Sequence, residues 1–358
     1  MNTEQNRISA SGARQLNIAR RQGNRSGRKA AIAAALACAC GLAMPHPATA
    51  QGYQFTNFDG TGDHTGGTTI NGINNFGIEV GFSTNADGNF TNFLRNPDGS
   101  FVTLSALPAA AQANGVNTDK TVVGTDGAGN AFSLSLNTVT TLPNASPGNI
   151  SQVAFGINDG GKIVGQYLNA LGNMPGFLDN GGSFTLYSPT ATATITNVQG
   201  INNKDQAIGF YSADGVHQHG FLWNTDTNAT TLFADPNTAR IAADGLVLTQ
   251  FLGINANGEA VGYYQTNNGS QFGFLFNTMT DTYTYLDDPQ AAPVNGVQIT
   301  QITGIDNQGD LSGFYVDPNG VQRGFFATAV PEPGSVALMI GMGLSGIGLL
   351  ARRRRPRA

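Results

Sequence analysis

The sequence predicts an all-β fold: a six-bladed β-propeller of four-stranded antiparallel blades, closed by its N-terminal strand. Three observations predict it. One stretch is written six times, opening at Gly72-Ile73-Asn74, Gly115-Val116-Asn117, Gly156-Ile157-Asn158, Gly200-Ile201-Asn202, Gly253-Ile254-Asn255 and Gly304-Ile305-Asp306. These openings stand 43, 41, 44, 53 and 51 residues apart, the period of a propeller blade. At the two ends of the array, a strand is missing from one side and left over on the other. The sixth copy has no fourth strand, because Phe325-Phe326-Ala327-Thr328-Ala329 runs directly into Val330-Pro331, while Tyr53-Gln54-Phe55-Thr56-Asn57-Phe58 precedes the first copy without a unit of its own. Joining the two completes the sixth blade and removes the open edges that invite aggregation.

Within a copy, each element follows from its residue types. The apolar residues around Gly-Ile-Asn form the first strand, which stops at turns such as Asn255-Ala256-Asn257-Gly258; Asn, Asp and Gly accept the positive φ a tight hairpin demands. A second strand follows and carries a glycine nine residues after the first: Gly81, Gly124, Gly165, Gly209, Gly262 and Gly313. These positions predict a close strand approach or a bulge. After another polar turn the third strand bears Phe93, Phe177, Phe221, Phe274 or Phe325, and the shorter second copy supplies Phe132. Alternation on a strand turns those rings inward as core between blades. A fourth run ends near a proline in four copies, as in Thr185-Leu186-Tyr187-Ser188-Pro189, which suits a strand edge. The repeated Asn is expected to bond its own turn backbone.

The chain divides into residues 1–50, 51–330 and 331–358. The first segment has a long basic lead, an apolar run from Ala30 to Met44, and small residues Ala48 and Ala50 placed for cleavage before Gln51. That is a secretory signal peptide with an extended n-region. Cys38 and Cys40, the chain's only cysteines, lie inside it, so the mature protein is expected to have no disulfide and no thiol chemistry. At the other end, Pro331-Glu332-Pro333 precedes an apolar run over 336–351 and then Arg352-Arg353-Arg354-Arg355. Sixteen helical residues reach about 24 Å, short of a hydrocarbon core of roughly 30 Å, and snorkelling arginines extend that reach. The arginines belong on the cytoplasmic side, which places the preceding chain outside.

Between the two ends, 51–330 holds six Lys and Arg against 21 Asp and Glu, a formal charge of −15. Such a surface repels nucleic acid and anionic polymers. Signals for chemistry are sparse. His217-Gln218-His219 sets two imidazoles on one face of a strand near Asp214, without an evident third strong ligand for zinc or copper. His64 stands alone in a Gly/Thr loop. Oxygen donors cluster at Asp306-Asn307-Gln308-Gly309-Asp310 and Asn202-Asn203-Lys204-Asp205, the chemistry calcium uses; neither completes an EF-hand spacing, and hairpin geometry accounts for both. No cofactor is expected, and calcium fits the composition better than zinc or copper. Glu79 and Glu259 are the only glutamates in 51–330, and no nucleophile elbow, Walker loop or His-Glu-x-x-His is present.

The last 29 residues resemble the PEP-CTERM sorting signal of Gram-negative bacteria: a Pro-Glu-Pro box, a short membrane helix and a basic end in that order, with Gly334 where Ser or Thr is commoner. The resemblance implies transient anchoring in the inner membrane, processing near the box by an exosortase, and residence at the cell surface or in an exopolysaccharide matrix. More weakly, the repeats resemble the HAF-type repeats of extracellular bacterial proteins, with Gly-Phe in place of His-Ala-Phe; no enzymatic activity travels with that likeness. The expected function is therefore a non-catalytic exported module that binds a matrix polysaccharide or a surface protein through loops on a rigid scaffold. The first loops to consider are the inserts around Ala234–Val247 and Asp287–Gln298. The rival is an extracellular glycan hydrolase or lyase using Asp carboxylates at the channel, which would require carboxylates to converge in a pocket.

Overall fold

The structure, a computed structural model, describes residues 52–62 and 64–330. The leader, the Pro-Glu-Pro box, the 336–351 run and the arginine block, with the expectations attached to them, lie outside the described residues. Six four-stranded antiparallel sheets are formed. Their innermost strands are Gly67–Ile73, Gln112–Val116, Ser151–Ile157, Ile195–Ile201, Leu246–Ile254 and Thr300–Ile305. Each ends at the repeated Gly-Ile-Asn or its equivalent, so the six copies become six blades around one channel.

The ring closes as the leftover strand requires. Tyr53–Phe58 pairs antiparallel with Gln322–Ala329, from Tyr53 opposite Ala329 to Phe58 opposite Gly324, and supplies the outermost strand of the sixth blade. Phe55 packs edge-on against Phe325 at 5.2 Å. Arg323 donates to Asp59 and, at 2.8 Å, to Asp317. Arg95 of the first blade lies 4.2 Å over the Phe58 ring, so the closing strand is held from both sides of the seam. Beneath it Arg95 donates to Glu79 at 2.6 Å in a buried pair, where burial pushes the Glu79 carboxyl up against the pull of the guanidinium.

Both repeated glycines are explained by space. In all six blades the register shifts just before the first glycine, leaving Asn71, Asn114, Phe155, Gln199, Leu252 and Thr303 as the extra residue of a β-bulge. The second glycine lies across the strand pair from the repeated Phe, as in Gly209 opposite Phe221 and Gly124 opposite Phe132. A Cβ on Gly209 would stand 1.9 Å from the Asn197 carbonyl oxygen and 3.0 Å from the Phe221 ring. The ring thus fills the space the glycine leaves, and these phenylalanines are fully buried. Core clusters run between blades: Val164, Leu178 and Tyr187 of the third pack with Val198, Phe221 and Trp223 of the fourth. Tyr187 stacks on Trp223 at 4.1 Å.

One element departs from the sequence reading. The insert after the fourth blade contains a short helix, Ala239–Asp244, capped by Thr238, whose hydroxyl accepts the Ile241 N–H. Six residues with no buried face give no periodic signal. Its Arg240 lies 4.0 Å over the Phe272 ring and donates to Asp287 at 2.7 Å.

Candidate functional site

The inner strands enclose a channel with two unlike ends. At the narrow end stand the repeated asparagines, and each does two jobs. Its side-chain oxygen accepts N–H groups of its own turn, as Asn158 accepts from Lys162 at 3.0 Å and Asn255 from Asn257 and Glu259 at 2.9 and 3.0 Å. That is the expected turn chemistry. Its amide nitrogen, which the sequence did not assign, reaches the next blade: Asn74 to the Asn117 carbonyl, Asn117 to Asn158, Asn158 to Asn202, Asn202 to Asn255, and Asn255 to Asp306. The belt passes from blade to blade at 2.9 to 3.3 Å. The sixth position holds Asp306, whose carboxylate has no N–H to pass on. Its Oδ1 accepts from Gln308 and Asp310 at 2.9 Å, and burial, reinforced by the charge of Asp310, pushes its pKa up to about 6.

The wide end is a mouth of about 260 Å³. It is built from the bulge residues Asn71, Asn114, Phe155, Gln199, Leu252 and Thr303, with Gln112, Gln250, Gln301, Phe82 and Phe314 above them. Two sequence positions recur here. One lies three residues before the first glycine and the other directly after the second. They face each other across the inner strand pair, as Thr69 with Phe82, Asn197 with Phe210, Gln250 with Tyr263, and Gln301 with Phe314. Four of the blades therefore pair an aromatic ring with a neutral polar group, and of these residues Phe82, Gln250, Gln301 and Phe314 line the mouth. The amides are already ordered: Gln250 donates to Gln218 and Gln301 to Gln271, both at 2.6 Å, and Gln271 donates to Gln265 at 2.9 Å. Asn71 and Asn114 each donate to the next blade's backbone at 3.0 Å. No charged side chain lines the mouth among the described residues; the narrow end includes Asp159. Sequence reading missed this site, because a residue three before Gly253 or one after Gly262 varies between copies. Tabulating the repeats column by column would have shown the amide and aromatic pairs.

The histidines do not form the pair expected of them. His217 lies in the turn before the strand His219–Asn224 begins, so period-two alternation does not carry across it. His217 meets Asp214 at 2.7 Å and His219 meets Asp235 at 3.1 Å. The hydrogen bond from His217 holds the Asp214 carboxyl well below the usual range. His64 is 3.7 Å from Asp59. Among the described residues no group of three or more His, Cys, Asp or Glu is placed to hold a metal ion.

A model of the PEP-CTERM protein-sorting motif matches residues 329–355, the span that holds Pro331-Glu332-Pro333 and Arg352 to Arg355. No curated protein sequence matches the chain. Among solved structures, TolB from Acinetobacter baumannii is similar at 11% identity over 63% of this chain and 54% of its own, with a TM-score of 0.46. The chain thus spans about half the length of that protein. An Aleuria aurantia lectin in complex with alpha-methyl-L-fucoside is similar at 12% identity, covering 79% of this chain and 97% of the lectin, with a TM-score of 0.40. An oligogalacturonate lyase in complex with manganese aligns at 10% identity over 78% of this chain and 97% of the lyase, with a TM-score of 0.41. The chain is a six-bladed propeller that carries a PEP-CTERM sorting motif. The motif implies an exported, surface-sorted protein, held at the membrane until an exosortase processes it.

Proposed function

We propose that this protein is a non-catalytic surface module that binds an uncharged polysaccharide of the extracellular matrix at the wide mouth of its channel. The observation that carries this reading is the lining: carboxamides and phenylalanine rings with one leucine and one threonine and no charge, on a scaffold with a formal charge of −15. Carboxamides match sugar hydroxyls, since each offers two donors and an acceptor. Aromatic faces match the apolar faces of pyranose rings, and a rigid concave site spares the ordering cost of binding. A polyanion would be repelled by the surrounding surface. The carboxylates that a hydrolase or lyase would need do not converge at this mouth. Export and sorting by the tail would deliver the module to a place where such polymers lie. The test is a binding screen of residues 51–330 against dextran, cello-oligosaccharides and galactomannan, with alginate and heparin as charged controls. Binding of a neutral polymer with the controls negative is the expected result; a preference for the polyanions would overturn the reading.

A further inference from the structure

The two ends of the channel are not equivalent with respect to the tail. Gln322, which opens the last strand, donates to Thr69 Oγ1 at 2.7 Å and to the Thr68 carbonyl. Thr69 is the first blade's residue at mouth level. The strand then runs away from the mouth for eight residues to Ala329. Its far end is marked by Tyr53, paired with Ala329, whose hydroxyl donates to the carbonyl of Gly309 in the narrow-end turn of the sixth blade. The next residue, Val330, donates to Gly52 at 2.8 Å. The chain therefore leaves the propeller toward its sorting motif from the narrow-end face.

We infer that, while the tail is in the membrane, the narrow-end face lies against the bilayer and the amide-lined mouth points outward, so that ligand is captured before processing as well as after it. Five residues, 331–335, separate Val330 from the apolar run, so that six residue steps from Val330 to Val336 reach at most about 22 Å. The eight-residue strand is about 26 Å long at a strand's rise per residue. Turning the mouth toward the membrane would lift Val330 by that strand's length, beyond what the link can span. The orientation rests on reading the 336–351 run as the membrane segment, and the capture of ligand rests in addition on the binding proposed for the mouth.

Two exposed apolar turn residues report the two faces. Leu171 is 85% exposed in the turn between the second and third strands of its blade, on the mouth side. Met279 is 76% exposed in the turn that Thr278 ties to Gly258, on the narrow-end side. Since the only cysteines lie in the leader, Leu171→Cys and Met279→Cys each give a single labelling site in the mature chain. The tail-bearing chain, made in a host without the processing enzyme, is reconstituted into phosphatidylcholine nanodiscs carrying an acceptor lipid, and energy transfer from each dye is measured. Transfer at least twofold stronger from position 279 than from 171, lost from both when 331–358 is deleted, is the expected result. Equal or reversed transfer in the tail-bearing chain would overturn the orientation. Absence of transfer from both would overturn the membrane reading of the tail, leaving glycan binding to its own test.

Discussion

At the residue scale, the fold is held by glycines that have no room for a side chain. Gly209, Gly262 and Gly313 each sit where a Cβ would stand about 2 Å from a partner-strand carbonyl oxygen. Replacing Gly209 with Ala should lower the unfolding free energy by about 1–3 kcal/mol, the usual cost of overpacking, read as a shifted urea midpoint with unchanged slope. The nine-residue spacing from Gly200 to Gly209 was legible in the sequence; the Phe221 ring as the space's occupant was legible only as core. Asp306 makes a second prediction. Its folded pKa of about 6 lies above the ordinary 3.8, so the folded state holds the proton more tightly than the unfolded chain. Its contribution is present at low pH and lost as pH rises through 6. Asp306→Asn, which also restores the missing amide to the belt, should therefore exceed the wild type in stability at pH 8 and match it more closely at pH 4. Urea midpoints at the two pH values check this, and a difference independent of pH would contradict it.

At the element scale, the blade pattern was plain because strand, turn and strand recur six times, each turn opening on Asn or, in the sixth copy, Asp306. Tyr53–Phe58 was recognisable as a fourth strand by its likeness to Tyr283-Thr284-Tyr285. Deleting 52–59 exposes the Gln322–Ala329 edge and removes the Phe55 ring and the Asp59 carboxylate from their partners. The melting temperature should drop by 10 °C or more, and adding the 52–59 peptide in trans should recover part of the loss; an unchanged midpoint would show that the ring does not depend on this strand. What the strands could not reveal was convergence. Period-two alternation says which face Gln250 and Tyr263 occupy, but only the ring geometry brings Gln250, Gln301 and Phe314 to one mouth. The helix Ala239–Asp244 was hidden for a different reason, since a single turn or so with no buried residue leaves no periodicity to read.

At the scale of the whole molecule, charge and address divide the work. On the proposed reading, the acidic body would keep polyanions away and the neutral mouth would admit an uncharged polymer without repulsion. Replacing Pro331-Glu332-Pro333 with alanines should leave the propeller folded but block tail processing, seen as retention of the larger species in the membrane fraction; mature protein of normal size and location would contradict the sorting role. Binding through the mouth should also be nearly indifferent to salt, because no ion pair contributes to it. The most direct measurement is calorimetric titration of residues 51–330 with the neutral polymer that binds in the screen, beside Gln301→Ala and Phe314→Ala variants of confirmed melting temperature. A loss of affinity of tenfold or more in both variants, with binding unchanged between 50 and 500 mM NaCl, is the predicted result. Full affinity in both variants would place the ligand elsewhere and contradict the account.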